Sequence, residues 1–389
     1  MNKYDDQSLY SKGLDFFKNN KLDQALELFK KIENKNINSL NILSKICIKK
    51  NEIKNAKNYL NKILNLDKEN LFALNSLGDV YKMEKNFRKA EEYYLYSISC
   101  NEKFAQGYFN LAILYEEKGD LSLAKNNYFK VIEIDDNNFA AYFNLQRLNS
   151  DLITEKIIKK IEKKLKNHSN TINKNLAYAH FILAKNYRKK SNIEMEIKEL
   201  SKGHEIFFNS DPINKDAVNY WLETVPKMMN KKFLFQEADK NKIKSASIEP
   251  IFIFGIPRSG TTLVETMITS VEEKIYNAGE NFILQKALKN SQLDKKIYES
   301  EQSITVDLNF LRKLVIDSYM KQFSVQSIKF KFIDRTMTNF FFSEILLEVF
   351  PNAKIINCKR DNFHNLIAIY QQCLNNLGLR IYPLYQMSL

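Results

Sequence analysis

Hydrophobic and small residues recur with a fixed period along the first part of the chain. Five positions reappear 34 residues later: Leu77 as Leu111, Gly78 as Ala112, Tyr81 as Tyr115, Ala90 as Ala124 and Tyr94 as Tyr128. A period of this length indicates helix–turn–helix units that stack on their neighbours. Small residues let paired helices approach closely, and aromatic side chains fill the gaps between them. The aromatic stripe is therefore predicted to be core and not a cofactor site.

The same register extends in both directions. Ala56 lies 34 residues before Ala90, and a shorter unit with Gly13 and Phe29 precedes it, while residues 139–148 open a further helix. This period is that of tetratricopeptide repeats. We predict an α-solenoid over residues 1–150, and the resemblance implies a peptide or protein partner in the groove of the repeats.

A second helical segment is predicted between residues 151 and 245, as a bridge and linker. Residues 151–166 have Ile and Leu at helical spacing among many Lys, and residues 177–187 and 194–207 form a helical hairpin pattern. Residues 211–249 contain Pro212 and Pro226 and are predicted to be the connection to the next domain.

The pattern then changes to strand, loop and helix. Residues 251–254 are apolar and β-favouring, a loop runs from Gly255 to Gly260, and an amphipathic helix follows. Glycines let the backbone turn sharply around an anion, and the helix start presents unpaired N–H groups. A nucleoside-triphosphate loop would continue with Lys after the second Gly. Here Thr261 follows and the cation comes earlier, at Arg258, which disfavours an ATP–Mg²⁺ site.

The string PRSGTTL, at residues 257–263, resembles the 5′-phosphosulfate loop of sulfotransferases, which use 3′-phosphoadenosine 5′-phosphosulfate (PAPS). Residues 332–340 (FIDRTMTNF) and 350–361 (FPNAKIINCKRD) extend that resemblance. Both segments begin as apolar runs, which is typical of parallel strands buried on two faces. The resemblance implies an α/β parallel-sheet domain over residues 246–389. It also implies sulfuryl transfer from PAPS to a hydroxyl, with protein tyrosine as a candidate acceptor and no metal.

The resemblance also implies the site residues. Donor binding is assigned to Pro257, Arg258, Ser259, Gly260, Thr261, Thr262 and Arg360, the last of these at the 3′-phosphate. Glu280 is the candidate general base, as in tyrosylprotein-type sulfotransferases, and Arg258 and Arg335 would stabilise charge. His364 is an alternative base, although an exposed helical His is more often not catalytic.

The chain departs from the family pattern at three positions. Arg335 stands where the family usually has a Lys, and a planar fork does not replace a point donor conservatively. Ala368 stands where a Ser usually joins the 3′-phosphate site, and Asn362 replaces a Pro. These changes predict a weakened grip on the donor.

Composition adds exclusions. The net charge is +13, but Lys and Asn are interleaved with Glu and Asp throughout, so no nucleic-acid partner is predicted. The four Cys lack metal-site spacing, which indicates reduced thiols and a cytoplasmic location. No long uncharged run predicts a membrane span.

The resemblance covers about the first half of the family's domain before Leu389, so the domain is expected to be incomplete. Two hypotheses remain from the sequence. One is a sulfotransferase, supported by PRSGTTL, Glu280 and Arg360. The other is a repeat scaffold that binds a protein beside a decayed, inactive sulfotransferase domain, favoured by Arg335, Ala368 and the early stop.

Overall fold

The computed structural model describes residues 3–32, 37–167, 173–210, 232–236, 248–271, 274–293, 303–326 and 329–371. The chain divides into two compact units, Met1–Asn214 and Lys215–Leu389.

The first unit is built from helices that pair with their neighbours in sequence. The repeat helices are α1 (Lys3–Lys18), α2 (Leu22–Lys31), α3 (Ile37–Lys49), α4 (Ile53–Leu66), α5 (Leu71–Met83), α6 (Phe87–Cys100), α7 (Ala105–Lys118), α8 (Leu121–Ile134) and α9 (Phe139–Leu148). A short 3₁₀ turn (Ser150–Leu152) leads to α10 (Glu155–Asn167), α11 (Lys174–Lys189) and α12 (Ile193–Asn209). The predicted solenoid is confirmed.

Close contact between a small residue and an aromatic ring sets the spacing of the repeat helices. A Cβ on Gly78 would lie 2.4 Å from the ring of Tyr94, and one on Gly13 would lie 2.9 Å from Phe29. Tyr94 and Tyr128, one period apart, are both fully buried. The aromatic stripe is therefore the core of the stack, as predicted.

Local turns and caps determine where the bridge helices begin. The predicted helix at residues 151–166 begins later than expected, at Glu155, because residues 150–152 form the 3₁₀ turn instead. The predicted hairpin is confirmed as α11 and α12. Asn192 caps α12 by accepting a hydrogen bond from the backbone N–H of Met195.

The second unit alternates strands and helices. Its elements are β1 (Lys232–Phe235), β2 (Ile248–Phe254), α13 (Thr261–Val271), β3 (Ile275–Asn277), α14 (Ile283–Asn290), β4 (Ser303–Val306), α15 (Leu308–Phe323), β5 (Phe330–Asp334), a 3₁₀ segment (Met337–Phe342), α16 (Ser343–Val349), β6 (Lys354–Asn357) and α17 (Asn362–Tyr370). One four-stranded sheet has the order β3-β5-β2-β6, and β1 pairs with β4. Every one of these pairings is parallel, as the sequence predicts.

The register brings the carboxyl ends of the strands to one edge of the sheet. Phe252 of β2 lies opposite Asp334, the last residue of β5, and Phe254 lies opposite Asn357, the last residue of β6. Asn277 ends β3 opposite Ile333. The segments that follow these four strands therefore all begin at this edge, where open α/β sheets bind ligands.

An aromatic cluster fills the core of this unit. Tyr319 stacks on Phe332 with ring centroids 4.2 Å apart, and Phe252 and Phe350 pack around them. β6 differs from the sequence expectation, because none of its residues is buried and Ile355 is 40% exposed. The reason is its place at the end of the sheet, where it pairs with β2 alone among the described strands.

The interval predicted as linker contains a strand. β1 lies within the predicted bridge of residues 151–245, yet it pairs with β4 in the second unit, and Phe233 belongs to that unit's core. Most of residues 211–249 lie outside the described residues.

Candidate functional site

The loop after β2 has a tightly constrained backbone at several positions. A Cβ on Gly255 would lie 2.3 Å from Ser259 Oγ and 3.0 Å from the carbonyl oxygen of Cys358. Gly260 has a φ of 100°, a left-handed conformation that favours glycine. Arg258 also adopts a positive φ, of 69°. A non-glycine residue in that region is uncommon and marks a tightly defined loop.

The side-chain hydroxyl of Ser259, in this loop, forms no hydrogen bond within the described residues. The backbone N–H of Ser259 donates to the carbonyl of Ile256 at 3.1 Å, which closes a turn. The hydroxyl itself is buried. A buried hydroxyl without a partner is unfavourable by itself, so a ligand oxygen at this position would satisfy it.

Helix α13 begins directly at the loop. Thr261 is half-buried and Thr262 is exposed, and both stand at the first positions of the helix. The first intrahelical bond runs from the N–H of Val264 to the carbonyl of Gly260 at 3.1 Å. The N–H groups before it have no intrahelical acceptor, as at any helix start, and they favour an anion.

The end of β6 supports the same loop. The N–H of Cys358 donates to the carbonyl of Phe254 at 2.7 Å, and Arg360 Nη1 donates to the carbonyl of Arg258 at 3.2 Å. The side chains of Arg258 and Arg360 are exposed. Two cationic residues predicted to bind the donor are thus brought together at one loop.

A second group of charged side chains lies after β3 and β5. Arg335 donates from Nε to Glu265 Oε2 at 2.7 Å and from Nη1 to Glu280 Oε1. The side chain of Glu265 is 7% exposed, that of Arg335 21% and that of Glu280 42%. Two of the three residues predicted for catalysis, Glu280 and Arg335, therefore form an ion pair, and Glu265 joins them.

A buried hydrogen-bond network fixes the backbone beside this ion pair. Asp334 is 1% exposed and accepts bonds from the hydroxyl of Tyr319, from Asn281 Nδ2 at 2.8 Å and from the N–H of Thr336 at 2.8 Å. Burial and the neighbouring Asp334 raise the pKa of Tyr319 well above its usual value. The hydroxyl therefore stays protonated and remains a donor.

Two backbone bonds connect the segments themselves. The N–H of Arg335 donates to the carbonyl of Gly279 at 3.0 Å, and the N–H of Ala278 donates to Ile333 at 2.8 Å. Gly279 has a φ of 60° and precedes Glu280 directly. Because the carbonyl before Glu280 is bound to the backbone of Arg335, the two side chains start from fixed positions.

Helix α17 carries three residues singled out from the sequence. Asn362 is its first residue, and Ala368 is half-buried in its last turn. His364 is exposed, and its Nδ1 lies 2.7 Å from Asp361 Oδ1, the capping carboxylate. Hydrogen bonds from the backbone and side chain of His364 lower the pKa of Asp361. His364 thus interacts with a helix cap, which leaves its alternative role as base without support.

Sequence reasoning missed Glu265 and the network around Asp334. Glu265 lies in the amphipathic helix after the loop, where a Glu suggests a solvated face, and only its burial distinguishes it. Within the described ranges, no cluster of three or more His, Cys, Asp or Glu side chains could hold a metal ion. None of the described helices is long and apolar enough to cross a membrane.

Comparison with known families agrees with both units. Residues 250–382 match the model of the sulfotransferase family. Residues 37–70 and 105–138 match the tetratricopeptide repeat. The chain combines tetratricopeptide repeats with a sulfotransferase-family domain. The matched range of that domain contains the loop after β2, Glu265, Glu280, Arg335 and Arg360.

Individual relatives match only in part. An "Uncharacterized protein" of Aquifex aeolicus (strain VF5) is 29% identical over 208 residues, which is 50% of this chain and 26% of that protein. Similar solved structures include the TPR protein TTC0263 of Thermus thermophilus, at 14% identity and a TM-score of 0.37, covering 45% of this chain and 97% of that one. Another is pilF of Pseudomonas aeruginosa, at 15% identity and a TM-score of 0.38, covering 50% and 88%. The chain thus spans about a quarter of the curated relative's length.

Proposed function

We propose that the sulfotransferase-family domain binds PAPS at the loop after β2 and transfers its sulfuryl group to a hydroxyl. The observation that carries this proposal is the buried, unpartnered hydroxyl of Ser259, in a loop where Gly255 leaves no room for a side chain. Both features fit the 5′-phosphosulfate end of the donor. When bound, the donor supplies an activated sulfuryl group with a phosphate as leaving group.

Each residue of the loop is assigned a separate role in binding the donor. Ser259, Thr261 and Thr262 offer hydroxyls, Gly260 and Pro257 shape the loop, and the start of α13 offers N–H groups. Arg258 is exposed, and its guanidinium is assigned to the 5′-phosphosulfate oxygens, including the phosphate oxygens that remain in the product, where bidentate bonds are strong. Arg360 is assigned to the 3′-phosphate, and its bond to the carbonyl of Arg258 also supports the loop.

Glu280 is assigned as the general base that takes the proton of the acceptor hydroxyl. It is the most exposed member of the charged group, so an acceptor can reach it. In the structure its Oε1 already accepts a hydrogen bond from Arg335 Nη1. The acceptor hydroxyl must therefore replace Arg335 as the partner of Glu280. Arg335 is then available to stabilise negative charge on the leaving phosphate.

The acceptor is proposed to be a hydroxyl on a peptide or protein, with tyrosine as the first candidate. The support is the repeat array itself, because helical repeats offer extended surfaces for protein partners. A cytoplasmic location is proposed from the free thiols of Cys47, Cys100 and Cys358, which suit a reducing compartment.

Calorimetry with 3′-phosphoadenosine 5′-phosphate (PAP) in EDTA tests donor binding. We expect binding without metal, and Arg258→Ala should weaken it by about tenfold or more, because a charged hydrogen bond contributes about 1.5–3 kcal/mol. Lys354→Ala is the matched control, since it removes an exposed cation at the opposite end of β6. Binding of ATP–Mg²⁺ as tight as that of PAP would overturn the proposal.

A second function is a repeat scaffold whose sulfotransferase domain no longer turns over. It is favoured by the Glu280–Arg335 ion pair, which occupies the candidate base, and by Ala368 in the place of Ser. Transfer of radiolabelled sulfate to tyrosine-containing peptides, compared with Glu280→Gln, separates the two. Transfer that Glu280→Gln abolishes supports the enzyme, whereas PAP binding without any transfer supports the scaffold.

A further inference from the structure

Glu265 is a buried carboxylate that neither the loop motif nor the assigned catalytic residues include. Its side chain is 7% exposed, and its Oε2 accepts the bond from Arg335 Nε at 2.7 Å. Its other oxygen, Oε1, is buried without a hydrogen-bond partner in the described part of the chain. The residue sits on α13, one turn after Thr261 at the end of the loop.

The chemistry of burial makes Arg335 the necessary partner of Glu265. A charged carboxylate removed from water is strongly unfavourable unless a cation and hydrogen bonds compensate it. Arg335 supplies both, and no other ion pair of Glu265 occurs among the described residues. The buried carboxylate at position 265 thus depends on the Arg at position 335.

The two carboxylates bound to Arg335 differ in solvent exposure. Glu265 is enclosed by its helix and the core, whereas Glu280 is 42% exposed at the rim. If Glu280 were its only partner, Arg335 would lose its orientation when Glu280 bound the acceptor hydroxyl instead. The bond to Glu265 prevents this, because it fixes the Nε side of the guanidinium independently of Glu280.

We propose that Glu265 is a positioning residue, which holds Arg335 in place when Glu280 leaves it to bind the acceptor hydroxyl. This inference rests on the proposed sulfuryl transfer and adds a residue to the same site. It also explains how an Arg can stand where related domains carry a Lys. The guanidinium of Arg has several N–H groups, and a fixed bond to Glu265 lets it direct one of them at the same place each time.

Thermal unfolding of the full chain tests the anchor without any ligand. Arg335→Gln leaves Glu265 buried without its cation, so we expect a drop in the melting temperature of several degrees. Adding Glu265→Gln should recover most of that drop, because it removes the buried charge. Adding Glu280→Gln should not, because Glu280 is exposed to water. If Arg335→Gln does not fold, recovery of soluble protein replaces the melting temperature. Equal recovery by Glu280→Gln, or none by Glu265→Gln, overturns the anchor.

Titration with PAP tests whether Glu265 positions Arg335. A residue that only stabilises the fold would not change the affinity for PAP. In a Glu280→Ala background, where Glu265 is the remaining carboxylate on Arg335, Glu265→Gln should weaken PAP binding by about tenfold. In an Arg335→Ala background the same change should alter binding by about twofold or less, because Glu265 acts through Arg335. Equal losses in both backgrounds, or no loss in either, overturn the proposal.

The two experiments also separate this proposal from the donor assignment. If the wild-type chain does not bind PAP, the proposed function fails, while the melting temperatures still report whether Glu265 anchors Arg335. If wild type binds PAP and Arg258→Ala weakens binding, while Glu265→Gln has no effect in the Glu280→Ala background, the donor site stands and the positioning role of Glu265 fails.

Discussion

Arg360 and Arg258 are 102 residues apart in sequence, and the guanidinium of the first donates to the backbone carbonyl of the second. The contact places a residue assigned to the 3′-phosphate in direct support of the 5′-phosphosulfate loop. If the proposed assignment holds, one side chain both supports the loop and binds the 3′-phosphate.

We expect Arg360→Ala to weaken PAP binding by about tenfold, because it removes a charged donor. Parallel titration with adenosine 5′-phosphate, which lacks the 3′-phosphate, separates the two roles of Arg360. A loss for PAP alone shows a contact with the 3′-phosphate, whereas equal losses for both ligands show support of the loop. Lys354→Ala is again the control and should change neither affinity. Undiminished binding of both ligands by Arg360→Ala would exclude both roles.

Ala368→Ser should restore a hydroxyl in the half-buried last turn of α17. We expect PAP to bind more tightly by about 1 kcal/mol, the contribution of one neutral hydrogen bond. Adenosine 5′-phosphate should bind unchanged, because the new hydroxyl is expected to reach only the 3′-phosphate. Calorimetry with both ligands checks this. Unchanged PAP affinity would show that position 368 lies away from that phosphate.

Gly255→Ala should disturb the loop by steric overlap. The added Cβ would approach Ser259 Oγ and the backbone of Cys358, so we expect the free energy of unfolding to fall by about 1–3 kcal/mol, with loss of PAP binding. Gly119→Ala is a useful control, since Gly119 lies in the repeats with open space around it and differs from Gly255 in having a positive φ. It should lower stability by about 1 kcal/mol through backbone strain and leave PAP binding intact. Urea unfolding and calorimetry measure both effects.

Asp79 should make the stability of the repeats depend on pH. Burial raises the pKa of its carboxyl, although the hydrogen bond from Tyr94 and the charge of Lys82 oppose that shift. A raised folded-state pKa means that the folded chain binds the proton more tightly than the unfolded chain. The stability from this proton is complete below the unfolded pKa, and it is lost as pH rises through the folded pKa.

Asp79→Asn removes this dependence. The amide keeps an oxygen that can accept from Tyr94 and Asn110, so we expect a higher melting temperature than wild type at neutral pH. The difference should shrink towards pH 4, where Asp79 itself is increasingly protonated. Melting curves across that range check the sign. A difference that grows on acidification would contradict the buried-charge argument.

The sequence alone predicts the repeats well because each unit repeats the same packing problem. Ala56, Ala90 and Ala124 all stand at fully buried positions one period apart. Strands β1, β3 and β4 have only three or four residues each, too few for a pattern to show. β3 pairs with β5, and β1 and β4 pair with each other, so each of these short strands depends on a partner that is distant in sequence.

Some residues of the candidate site could be predicted from the sequence and others could not. Gly255, Arg258 and Gly260 follow one another in a single loop, so their spacing is visible in the sequence. Glu265 binds a partner 70 residues away, and Tyr319 meets Asp334 only through the packing of α15 against β5. A lone Glu in an amphipathic helix predicts solvent exposure, so its burial could not be inferred before the fold was known. The roles of the site residues stay predictions.

The parallel pairing of β2 with β5 and β6 has a consequence for the order of synthesis and folding. Repeat helices touch their neighbours in sequence and can form as the chain leaves the ribosome. The loop after β2 is held by bonds from Cys358 to Phe254 and from Arg360 to Arg258, so we expect it to take its shape only after β6 has been synthesised. A nascent chain stalled before β6 should therefore carry protease-resistant repeats and no capacity to bind the nucleotide.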